Sequence, residues 1–92
     1  CSPITDGAAA VVLAPAEVAH KYSDEVVKII ASAQASDTIA LNSRDSLTGL
    51  RSAQIAAREA YRQANLKPGD IQLAEVHDCF TIAEIMAIED LG

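Results

Sequence analysis

Cations are scarce in this 92-residue chain, where seven Lys and Arg stand against thirteen Asp and Glu for a net charge of −6. A nucleic-acid backbone or an anionic membrane surface needs a dense positive face, so neither is expected as the main partner. Long apolar runs are missing too. No stretch reaches the ~18 to 20 residues of a membrane helix, and no charged-then-apolar leader stands ahead of a small-residue cleavage site. The chain reads as soluble and not membrane-bound. Cysteine is also sparse. Cys1 and Cys79 form neither a spaced framework nor a Cys-x-x-Cys pair, which points to an intracellular, reducing compartment.

What is present is an alternation of strand-like and helix-like segments without an internal repeat. Residues 8–14, AAAVVLA, form a continuous small apolar run suited to a strand buried on both faces, entered by the Asp6-Gly7 turn. Pro15 suits a helix first turn, so a short helix is expected over residues 15–22 with Glu17 near its start. Residues 26–35 are read as a second strand from the β-branched Val26, Val27, Ile29 and Ile30, with Ala31, Ala33 and Ala35 leaving its far end ambiguous. Residues 38–50 carry turn formers and are expected to be loop.

A second helix is expected over residues 51–65. Alanines at 53, 56, 57, 60 and 64 give it one small, flat face, while Arg51, Arg58, Glu59 and Arg62 point elsewhere as solvated charges. Residues 66–70 then form a loop. Residues 71–76, IQLAEV, alternate apolar and polar as a half-buried strand does. From Phe80 to Leu91 the apolar residues cover nearly the whole circumference of a third helix. Strand, helix, strand, helix, strand, helix is an α/β pattern.

That last helix sets a packing problem. A 92-residue domain buries only about two-thirds of its unfolded surface, and the few other elements could hardly cover an all-round apolar helix. Residue 1 is Cys rather than Met, and the chain closes on Glu89-Asp90-Leu91 with Gly92 as a helix C-cap. Both ends are therefore expected to be cut from something longer.

His77, Asp78 and Cys79 fall at the third strand-to-helix junction, where α/β proteins commonly place binding and catalytic groups. Each has a structural reading. Asp78 caps the helix, Thr81 with Glu84 fits a Thr-x-x-Glu capping box, His77 is a satisfied buried imidazole and Cys79 a small core hydrophobe. Together they suggest more. A thiol at a helix N-terminus feels the positive end of the dipole, which favours its thiolate, and can take and return protons. A neighbouring imidazole can donate a hydrogen bond to a developing oxyanion, directly or through a water. Acyl or carbanion chemistry follows. Zinc is the rival, but His77-x-Cys79 supplies only two ligands and His20 lies on a separate helix.

The motif HDCF at 77–80, within EVHDCFTIAE, together with CSPITDGAAAVVLA at 1–14, closely resembles the sterol-carrier-protein type of thiolase, including its archaeal and bacterial relatives. The likeness runs through all 92 residues in order. It implies a partial thiolase-like fold across the seam of two half-domains, residues 1–22 ending the N-terminal half and residues 23–92 beginning the C-terminal half. It also implies carbon-carbon bond chemistry on coenzyme A thioesters in lipid metabolism, by thiolytic cleavage of a 3-ketoacyl-CoA or the reverse Claisen condensation. Coenzyme A enters as substrate, with no cofactor and no metal.

By position, His77 stands where better-known thiolases have the Asn of an Asn-Glu-Ala-Phe motif that holds an oxyanion-hole water. Cys79 resembles the acid/base cysteine of this subfamily. Ser2 matches a serine whose loop contacts the pantetheine arm, with Pro3 and Ile4 beside it. Asp78 and Phe80 belong to the motif as structural residues. The resemblance places the family's nucleophilic cysteine upstream of Cys1 and its Gly-His-Pro histidine downstream of Gly92; His20 and Cys1 match neither. This chain alone is therefore expected to be inactive. The whole protein is expected to be a cytoplasmic, or in a eukaryote peroxisomal, homodimer or homotetramer. Some microbial relatives assemble with a hydroxymethylglutaryl-CoA synthase and a small bridging protein. The alternative from another class is a noncatalytic thiolase-like subunit that binds an acyl-CoA or a partner protein.

Overall fold

Proline, alanine and glycine punctuate the chain much as their backbone preferences dictate. The computed structural model describes residues 3–92, in which the helices are α1 (Ala16–Ala19), α2 (Arg51–Ala64) and α3 (Thr81–Leu91), with 3-10 turns at Leu41–Ser43 and Pro68–Asp70. Pro15 is the N-cap of α1 at φ −55°, and its carbonyl accepts the N–H of Val18 and of Ala19. The expected helix over residues 15–22 is thus shorter, its last residues relaxing into turns. Within the expected loop at residues 38–50, short polar side chains close local turns. The Asp37 carboxylate accepts Thr38 N–H at 2.7 Å, and Ser46 Oγ accepts Thr48 N–H at 3.1 Å.

α2 begins and ends where its sequence directs. Asn65 follows it in the left-handed region at φ 54°, with Asn65 N–H donating to the Arg62 carbonyl and Leu66 N–H to the Tyr61 carbonyl. This is a Schellman closure, which satisfies two carbonyls the helix leaves open. The alanine face turns inward as expected. Ala57 is buried, and Ala53, Ala56, Ala60 and Ala64 are half-buried.

The three expected strands do not form among the described residues, which corrects the α/β, β-α-β-α-β-α reading. Residues 8–14, 26–35 and 71–76 carry no strand assignment, and no backbone hydrogen bond joins one segment to another. A strand exists only through its ladder, and the apolar pattern specifies which faces want cover, not which neighbour supplies the hydrogen bonds. Val12 and Val27 remain 93% and 92% exposed. One strand-like trait survives in the second segment. Ala31, Ala33 and Ala35 are half-buried while Ser32, Gln34 and Ser36 are exposed, a period of two, and Ser32 N–H donates to Gln63 Oε1 of α2 at 3.2 Å.

Magnitudes show how open this arrangement is. A compact domain of this mass exposes about 5,100 Å², whereas this chain exposes 8293 Å². Its radius of gyration is 16.5 Å, against about 12 Å for 92 residues packed as a globule. α3 has a half-buried stripe of Ala83, Met86, Ala87, Asp90 and Leu91, at i, i+3, i+4, i+7 and i+8. Its other side leaves Ile82, Ile85 and Ile88 more than half exposed. The expected shortage of cover for this helix is therefore observed.

Among the helices, the main packing runs between α2 and α3. Small side chains let the helices approach, and directional bonds at the last turn of α3 lock them. The Asp90 carboxylate accepts Leu50 N–H at 2.7 Å and Gln54 Nε2–H at 2.7 Å. Tyr61 O–H donates to the Leu91 carbonyl at 2.9 Å. Gly49 makes room for this knot, since a Cβ there would meet Gln54 Nε2 at 3.0 Å and Asp90 Oδ1 at 3.1 Å. Gly92 closes α3 at φ 103°, the expected C-cap, with the Pro68 ring so near that a Cβ would clash.

With so little buried apolar surface, the isolated 92-residue chain is expected to melt without a cooperative transition by far-ultraviolet circular dichroism; a sharp sigmoidal melt contradicts this. Asn65→Val is expected to weaken the last turn of α2 by about 1–2 kcal/mol, read as faster hydrogen exchange at Leu66 N–H, whereas Asn65→Gly leaves that exchange unchanged or slower.

Candidate functional site

Cys79 and Phe80 bend the chain into α3. Phe80 is the N-cap at φ −135° and ψ 149°, its carbonyl accepting Ala83 N–H at 2.9 Å, and no side chain caps the helix. Two structural expectations are thereby corrected. Asp78 lies two residues ahead of the N-cap rather than on it, and Thr81 is the first helical residue, so Thr81 and Glu84 form no capping box. The physical reason is register. An N-cap side chain reaches the N–H groups two and three residues on, and the position with that reach is occupied by a phenyl ring, which accepts nothing. The first-turn N–H groups of α3 therefore stay open, with Glu84 in the first turn as acidic complement to the dipole.

His77 and Cys79 are both exposed, and the Cys79 thiol is free. This corrects the reading of either as a core residue. Two positions apart, their Cα atoms lie within about 7 Å, so one small ligand group can reach both. Of the pantetheine candidates, Pro3 and Ile4 are exposed, and Ser2 lies outside the described residues.

Three grooves lie away from this pair. A groove of ≈ 720 Å³ lies between residues 12–14, α1 and residues 25–30; one of ≈ 540 Å³ flanks the end of α3; and a polar one of ≈ 220 Å³ lies beside the start of α2. Neither His77 nor Cys79 lines any of the three. Among the described residues, no three His, Cys, Asp or Glu side chains gather as a metal site.

Charge near the junction is one-sided. Residues 71–92 contain Glu75, Asp78, Glu84, Glu89 and Asp90 but no Lys or Arg. Two of the cations elsewhere are engaged, Arg51 with Asp45 at 2.7 Å and Arg62 with Glu59 at 2.7 Å. Hydrogen bonds from Arg62 and then Gln63 hold the Glu59 carboxyl well below the usual carboxylate range, at about 2. Both ion pairs face solvent, where they contribute little to stability. Phosphate-bearing ligands at the junction must therefore find their cations on other segments.

Chemically, an unpaired thiol and an unpaired imidazole at an uncapped helix start can exchange a proton and stabilise a nearby oxyanion. The sequence reading missed the knot behind them. Asp90 and Tyr61, which tie α3 to α2, were legible only as a carboxylate falling on the half-buried stripe of an otherwise apolar helix and as an aromatic beside the alanine face.

Comparison with known proteins places the chain in a family. The family described as "Thiolase C-terminal domain-like" matches residues 33–92. A protein of Methanothermobacter thermautotrophicus named "Acetyl-CoA acetyltransferase" is 58% identical over 92 residues, covering 100% of this chain and 24% of that protein. Its namesake from Methanocaldococcus jannaschii is 50% identical over 94 residues, again covering 100% of this chain and 24% of the relative. "Sterol carrier protein 2" of Gallus gallus is 36% identical over 97 residues, covering 100% of this chain and 18% of its own length. The chain thus spans about a quarter of the length of the archaeal relatives. It belongs to the thiolase superfamily, in the family described as "Thiolase C-terminal domain-like".

Proposed function

We propose that these residues are part of a thiolase-type acyltransferase that cleaves 3-ketoacyl-CoA with coenzyme A or runs the reverse Claisen condensation. The observation that carries this reading is the open presentation of a free thiol and an imidazole directly ahead of α3, in a chain 58% identical throughout to a protein named acetyl-CoA acetyltransferase. In this reading Cys79 is the acid/base and His77 serves the oxyanion hole. Ser2, Pro3 and Ile4 flank the pantetheine arm. The boundary between half-domains falls near residue 22.

The proposed cycle balances around Cys79. A nucleophilic cysteine thiolate from another part of the protein attacks the 3-keto carbon, and the resulting oxyanion collapses with cleavage of the C2–C3 bond. The electron pair passes to C2 as the enolate of acetyl-CoA, and the Cys79 thiol protonates that carbon. The Cys79 thiolate then takes the proton of incoming coenzyme A, whose sulfur attacks the acyl-enzyme and expels the nucleophilic cysteine as thiolate. His77 donates to the enolate oxygen, directly or through a water, where charge is greatest in the transition state. Family resemblance also carries the proposal of a homodimer or homotetramer, and of assembly with a hydroxymethylglutaryl-CoA synthase through a bridging protein.

In the whole protein, Cys79→Ala is expected to lower steady-state thiolysis by at least ~100-fold, while the acyl-enzyme still forms and is seen by intact mass. Full turnover by that variant ends the acid/base assignment. For His77→Ala the expected loss in kcat is about 100- to 1,000-fold with KM little changed; a change confined to KM would make His77 a substrate-binding residue instead.

A further inference from the structure

We infer that Asp90 is a positioning residue for the Cys79 and His77 pair, acting by fixing the register of α3 against α2; this rests on the acid/base reading proposed above. The inward faces of the two helices are built largely from alanine, with Met86 and Leu91. Such smooth, small-residue surfaces set how closely helices approach but resist sliding and rotation weakly, because dispersion contacts are non-directional. Directional bonds supply the register. Among the described residues three side-chain hydrogen bonds cross from α2 and its N-cap to α3, and all three end on its last turn: Leu50 N–H and Gln54 Nε2–H on the Asp90 carboxylate, and Tyr61 O–H on the Leu91 carbonyl.

Asp90 is the sole side chain of α3 in this knot, and it is half-buried. Cys79 and His77 lie one and three residues ahead of the N-cap at the far end of the same helix. Eleven helical residues separate the two ends by about 16 Å, so a tilt of about 5° at Asp90 moves the start of α3 by about 1.4 Å. Displacements of that size at reacting groups cost catalysis about 100-fold. No exposed hydrophobic side of α3 needs to change for this to happen.

The test uses the whole protein and separates acyl-enzyme formation, read by intact mass after mixing with p-nitrophenyl acetate, whose leaving group departs without a proton from Cys79, from thiolysis turnover. Asp90→Ala is expected to lower kcat at least ~10-fold with acylation changed less than ~2-fold, because the nucleophile that takes the acyl group comes from another part of the protein, whereas turnover also needs Cys79 and His77 held in place just ahead of α3. Asp90→Asn is expected to restore most of kcat, since the Gln54 amide can flip to accept from the new NH₂ while Leu50 N–H keeps its acceptor. A merely structural role would lower both readouts together with folded fraction and would show no such split. Asp90→Ala with wild-type kcat overturns the inference, as does equal loss in both steps. Where Asp90→Ala fails to fold, Gln54→Ala decides: a kcat loss without an acylation loss supports the inference and unchanged kcat overturns it. Cys79→Ala is run alongside. If it retains turnover, the acid/base reading itself falls; if it loses turnover while Asp90→Ala does not, only the role of Asp90 falls.

Discussion

The contact between α2 and α3 is the helix packing on which the rest of the described structure depends. Ala57, on α2, is the buried hydrophobic residue among those described, and most residues outside the helices are exposed. The alanine stripe of α2 sets the distance between the helices, and the carboxylate of Asp90 sets their register by answering Leu50 N–H at the start of α2. The Asp90 carboxylate accepts the N–H of the N-cap residue itself, the bond that a Glu or Gln at the third helical position makes in a capping box and that Ala53 cannot make. Secondary structure and tertiary packing are thus joined in one group.

From that seam the chemistry projects outward. α3 starts with open N–H groups because Phe80, not Asp78 or Thr81, holds the capping position. An uncapped start next to an exposed thiol and imidazole is a poor arrangement for stability and a good one for handling negative charge, since those N–H dipoles point toward whatever anion arrives. The absence of Lys and Arg from residues 71–92 keeps that positive end as the local electropositive feature.

Helices were far more legible in the sequence than strands, and the reason is physical. α2 could be bounded to within a residue because its determinants are local: the alanine spacing for its face and Asn65 for its left-handed exit. Ala8 to Ala14 also announced a local demand, cover on two sides, yet a strand is completed by a partner that no local pattern names. The alternation of Ala31, Ala33 and Ala35 survives as facing without a ladder. At the site, spacing alone located His77 and Cys79 ahead of a helix, but the capping register failed by two residues because Asp, Thr and Glu at suitable spacings gave more than one plausible box. Asp90 escaped notice because a carboxylate near a helix end reads as solvated unless its distant partner is known.

The account stands on Cys79 and His77 meeting the same substrate. The most direct measurement is a structure of the whole protein with an acyl-CoA bound. It is predicted to place Cys79 Sγ in contact with C2 of the acyl group and His77 within hydrogen-bond reach of the thioester oxygen, directly or through one water. An acyl-CoA seated with hydrocarbon side chains between it and Cys79, or with the imidazole turned to bulk solvent, would contradict it.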